Sequence, residues 1–112
     1  MKFSEDSFES GGEKVKENET YTVTDIKKLE NLVVSMTVLH PGKNTSGHSH
    51  EDAEEVYFFR KGRGIMQLNE SNFDVSGGDI ILIPKGSFHK VFNKGKDDLV
   101  FVCVFEKYGE RK

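Results

Sequence analysis

The chain predicts an all-β domain, a sandwich or barrel of short strands, and three observations predict it. The 112 residues include one alanine, Ala53, against eleven valines and nine phenylalanines. Alanine is the strongest helix former, whereas β-branched and aromatic side chains fit a pleated, half-buried surface. Short apolar segments recur between glycine and proline signals, as in sandwiches and barrels. No segment holds a 3.6-residue apolar period long enough for a helix.

In chain order, residues 1–20 are polar, with Phe3, Phe8 and Val15 as isolated apolar points, and read as an N-terminal arm or edge strand. The β-domain is expected over residues 21–112. Its strands are predicted at Tyr21–Ile26, Leu32–His40, Glu55–Arg60, Ile65–Asn69, Asn72–Val75, Asp79–Ile83, His89–Asn93 and Leu99–Phe105. The breaks fall at Pro41-Gly42, Lys61-Gly62-Arg63-Gly64, Ser76-Gly77-Gly78, Pro84-Lys85-Gly86 and Asn93-Lys94-Gly95. Ile80–Ile83 and Phe101–Phe105 are apolar on both faces, so one face should meet the interior and the other a second sheet or another subunit. A homodimer is the expected assembly.

Charge and composition narrow the function classes. Sixteen basic and 19 acidic residues give a net charge of −3 without a basic block, so no nucleic-acid partner is expected. No run approaches the roughly 20 apolar residues of a membrane span, and the opening MKFSEDSFESGG does not resemble a signal peptide. The single cysteine, Cys103, allows no internal disulfide and fits a reducing compartment. A cytoplasmic location without membrane partners is the expectation.

Chemistry concentrates in the stretch GHSHEDAEE, residues 47–55. His48 and His50 stand two apart, so an extended backbone presents both imidazoles on one side. Glu55 opens the next apolar segment, and His89 follows the Pro84-Lys85-Gly86 turn. From these residues alone the stretch is half of a metal site or a solvated acidic loop, and His89 is a hydrogen-bonded histidine or a third ligand.

Two longer segments then bear on the choice. Gly42 to Gly62 reads G-KNTSG-H-S-H-EDAE-E-VYFFRK-G, and Gly78 to Asn93 reads G-DIILI-P-K-G-SF-H-KVF-N. They resemble the two conserved motifs of the cupin superfamily, with all ten fixed positions filled and fifteen residues between the motifs. The resemblance implies a single small β-barrel, a double-stranded β-helix or jelly roll, over residues 21–112. It implies one divalent transition metal ion (Fe, Mn, Ni, Zn, Cu or Co) held by His48, His50, Glu55 and His89. Spacing also admits Glu54, but the six residues before Gly62 select Glu55.

The other candidates have weaker signals. Tyr57 shares parity with Glu55 and is the one catalytic candidate, with a structural hydrogen bond as its alternative. His40 is expected to be structural or exposed, and Cys103 a buried structural thiol. Arg60, Arg63, Lys85 and Lys90 are ordinary strand-end cations that could also receive an anionic substrate. Asn93 is expected to cap a turn through its side chain. The resemblance implies a metal-dependent enzyme acting on a small oxygen-rich metabolite, with dioxygenase-like oxidoreductase or sugar-isomerase chemistry. The alternative is a non-catalytic module that binds a small molecule through its metal.

Overall fold

Alternating burial along the strands organises the molecule into two sheets. The computed structural model describes residues 1–4 and 6–107. A single helical turn, α1 (Phe8–Gly11), precedes β1 (Glu13–Glu17), β2 (Tyr21–Ile26), β3 (Leu32–Leu39), β4 (Glu55–Lys61) and β5 (Arg63–Leu68). There follow β6 (Ser71–Ser76), β7 (Ile80–Ile83), β8 (His89–Phe92) and β9 (Leu99–Glu106). All eight predicted strands are present, each end within two residues of its expected place. The larger sheet has the order β1-β2-β3-β9-β4-β7 and the smaller β6-β5-β8, an antiparallel jelly-roll arrangement.

The interior is filled from both sheets. Glu55, Tyr57 and Phe59 of β4 face inward opposite Phe105, Cys103 and Phe101 of β9. Phe59, Phe101 and Phe105 are buried with Leu39, Met66, Val91 and Leu99. Each such side chain contributes about 1.5–3 kcal/mol by leaving water. A second cluster lies on the outer face of the larger sheet, where Phe8 and Phe3 cover Ile26, Met36 and Val100. Farther along that face Ile80 and Leu82 remain 59% and 68% exposed. The second sheet therefore does not cover the outward residues of Ile80–Ile83.

Turns follow the glycines and Asn93. Gly42, Gly62, Gly78 and Gly86 all have positive φ, between 76° and 101°. At Gly62 a side chain is excluded twice over, because a Cβ would also lie 2.5 Å from the Asp98 carbonyl oxygen. Asn93 is buried; its Nδ2 donates to the carbonyls of Leu39 and Asp97, and its Oδ1 accepts from Gly95 N–H.

One irregularity matters for the site. Strand β1 pairs with β2 through Glu13↔Asp25, Lys14↔Thr24, Lys16↔Val23 and Glu17↔Thr22, so Val15 is an inserted residue, a β-bulge. Without it Lys16 would fall on the outer face, because strand side chains alternate with period two. The bulge sets Lys16 beside Val23, on the inner side of the sheet, where it remains exposed at the open edge.

Candidate metal centre

Four side chains converge from three segments. His48 lies in extended chain before β4 rather than in a strand, and its backbone exchanges two hydrogen bonds with His89 at 3.2 and 2.9 Å. This bridge seats the first residue of β8 beside the His-x-His segment. Gly86 N–H donates to the His50 carbonyl at 2.8 Å, so the Pro84–Gly86 turn supports the second histidine. Glu55 opens β4 with its side chain inward and 4% exposed, while Glu54 points to solvent. The structure thus separates the two adjacent glutamates, with Glu55 buried and Glu54 exposed.

Ligand-type atoms of His48, His50, Glu55 and His89 all lie within 4.8 Å of one another. Glu55 Oε1 is 3.5 Å from both His50 Nε2 and His89 Nε2. His89 Nδ1 lies 3.0 Å from the Ser87 carbonyl, which can only accept. Nδ1 therefore carries a proton, and in the neutral tautomer this fixes, Nε2 turns its lone pair toward Glu55. Among the described residues neither Glu55 Oε1 nor His89 Nε2 has a hydrogen-bond partner, although both are buried. A buried acceptor left in this way costs about 1–3 kcal/mol, and more when charged. A cation satisfies both atoms at once.

His48 fits the same chemistry. Burial, followed by the imidazoles of His89 and His50, lowers its pKa to about 4, against smaller upward pulls from Glu55 and the Ser46 backbone. Its ring is therefore neutral at pH 7 and its lone pair available. Three imidazoles and one carboxylate form a donor set suited to a first-row transition metal rather than to calcium or magnesium. The residues fit a resident metal ion.

A cavity of about 380 Å³ opens beside the cluster, lined by His48, Glu55 and Tyr57 among others. Tyr57 is buried, with its ring stacked on Phe101 at 5.3 Å and edge-on to His89 at 5.6 Å. Cys103 is buried and also lines this cavity. His40 stands apart, its Nδ1 3.0 Å from Asp98 Oδ1 at a part-exposed position. Of the four cations offered as anion receivers, none lines this cavity; Arg60 lines a separate groove on the outer face. Two lysines that sequence reasoning missed, Lys16 and Lys27, line it instead. A bulge moves Lys16 inward, and no residue pattern in residues 13–17 signals it.

Comparison with known proteins adds the wider context. The cupin domain family matches residues 35–105, more than half of the chain. Glucose-6-phosphate isomerase from Thermococcus litoralis is 33% identical over 78% of this chain and 53% of its own length. An oxalate-binding protein from Thermotoga maritima is 32% identical over 59% of this chain and 54% of its own. The chain spans about half the length of the curated relatives it matches. In fold, a double-stranded β-helix protein from Klebsiella pneumoniae superposes with a TM-score of 0.80 over 98% of this chain and 91% of its own, at 21% identity.

Proposed function

Because the chain belongs to the cupin domain family, we propose that it is a metal-dependent enzyme of the isomerase or oxidoreductase type. Its metal ligands would be His48, His50, Glu55 and His89, and its substrate a small, oxygen-rich metabolite. The observation that supports this most directly is the buried, unpartnered Glu55 Oε1 facing the His89 Nε2 lone pair at the edge of a cavity. A divalent transition metal bound there would act as a Lewis acid toward substrate oxygens. The chain's own residues would do the rest: Ser87 holds the His89 tautomer, Phe59, Phe101 and Phe105 wall the interior against water, and Tyr57, which lines the cavity, would orient a bound molecule. Similarity to a glucose-6-phosphate isomerase favours aldose–ketose chemistry over oxidation.

Elemental analysis of protein purified without metal-affinity resin tests the centre. Near-stoichiometric metal is expected in wild type and in Glu54→Ala, and little in Glu55→Ala. Turnover is then sought with sugar phosphates, keto acids and catechols, with oxygen consumption followed in parallel. Metal-loaded protein that converts none of them would sink the enzymatic reading.

A second reading, a non-catalytic metal-dependent binding module, is favoured by similarity to the oxalate-binding protein. Tight ligand binding without conversion selects it. Both readings keep residues 1–20 as an N-terminal arm or edge strand, β1 lying at the edge of the larger sheet, beside a 21–112 domain in a cytoplasmic homodimer. The exposed Ile80 and Leu82 support self-association, which light scattering measures.

A further inference from the structure

The cavity beside the metal centre has an uneven distribution of charge. Glu55 is the only carboxylate among the described residues that line it, and it is committed to the metal in the reading above. Lys16 and Lys27 supply two ammonium groups from the β1–β2 side. In the larger sheet β2, β3 and β9 intervene between β1, which carries Lys16, and β4, which carries Glu55. Lys27 directly follows β2, so β3 and β9 separate it from β4, and both lysines line a different side of the cavity from the carboxylate. Hydroxyl side chains of Tyr21, Ser35 and Thr37 lie on the strands between Lys16 and β9. Because the whole chain is acidic, with a net charge of −3, this cationic end is a local arrangement rather than a consequence of bulk charge.

Neither lysine is tightly neutralised. Lys16 Nζ donates to Tyr21 Oη at 3.4 Å and sits 5.5 Å from the centre of that ring. Lys27 Nζ is 3.8 Å from Glu13 Oε2, a loose pair in which Glu13 is 71% exposed. Water screens such a pair, so it offsets little of the charge on Lys27. The Val15 bulge turns Lys16 inward, and bulges commonly re-aim a side chain beside a site.

We propose that Lys16 and Lys27 form an anion-receiving end of this cavity, opposite the metal centre. The favoured ligand then carries oxygen donors for the metal at one end and a phosphate or carboxylate at the other. This assignment rests on the metal-centre reading. Lys16 and Lys27 are specificity residues in it, not catalytic ones.

The test uses metal-loaded full-length protein and two probe pairs that differ in the distal anion. Glucose 6-phosphate is titrated beside glucose, and 2-oxoglutarate beside 2-oxobutyrate, by calorimetry with metal content measured on the same samples. The anionic member of at least one pair should bind roughly tenfold more tightly, the scale of one hydrogen-bonded charge pair. The pair that responds distinguishes phosphate from carboxylate. Lys16→Gln and Lys27→Gln should each lose most of that margin at unchanged metal content, and Lys16→Arg should keep it. Equal binding within both pairs, or a margin that survives both glutamine variants, overturns the assignment. Wild-type protein that takes up no metal overturns the metal-centre reading first, and this inference falls with it.

Discussion

Along β4 the inward side chains Glu55, Tyr57 and Phe59 are 4%, 6% and 0% exposed, whereas Val56 and Phe58 between them are 37% and 36% exposed. One backbone therefore presents two environments a single residue apart. The inner side mixes a carboxylate and a phenol with aromatic packing, an arrangement that leaves a buried oxygen without a hydrogen bond. The outer side has the composition of a core but is open to water. The comparison teaches that burial and hydrophobicity come apart on one strand, and each departure is the kind that marks a candidate site: a buried polar group for a ligand, exposed apolar groups for a covering surface.

Four substitutions sharpen or break this contrast. The largest effect is expected for Phe59→Ala, which should destabilise the fold by about 3–5 kcal/mol in denaturant unfolding, the cost of an emptied aromatic site. Phe58→Ala, next to it, should cost about 1 kcal/mol or less. Equal costs would mean that the outer face is covered in solution. Glu55→Gln should act in the opposite sense on metal-free protein, raising stability by about 1–2 kcal/mol because an uncompensated buried charge is removed. The same variant should bind metal far more weakly. A metal-free Glu55→Gln that is less stable than wild type would show that the carboxylate is structurally satisfied without a cation. The smallest change in protomer stability, within about 0.5 kcal/mol, is expected for Leu82→Lys. Light scattering should nevertheless show that variant as a smaller species than wild type. An unchanged mass would separate the exposed patch from assembly.

Much of this was legible because the signals are local or periodic. Strand positions follow from period-two burial between turn residues, as in Glu55–Phe59, and the choice of Glu55 over Glu54 follows from the count of residues to Gly62. The His48, His50, Glu55 and His89 cluster was legible as a set because two motifs mark it. What escaped was non-local. That β9 lies between β3 and β4 depends on pairings between distant segments, which no short window encodes. Lys16 escaped because an insertion at Val15 reverses the parity of the residues beyond it, and nothing in EKVKE distinguishes a bulged strand from a regular one. Arg60, Arg63, Lys85 and Lys90 were credible by charge alone, and charge does not say which way a side chain faces.

The backbone bridge between His48 and His89 also has a kinetic meaning. It closes a long loop, and such contacts form late because the chain entropy must be spent before they return anything. The donor set is incomplete until that closure occurs, so a partly synthesised or partly folded chain offers a cation at most His48, His50 and Glu55. In the metal-centre reading, full coordination would then follow folding, and a bound ion would hold the loop closed by mass action. The centre would thus act as a latch that records completion of the fold.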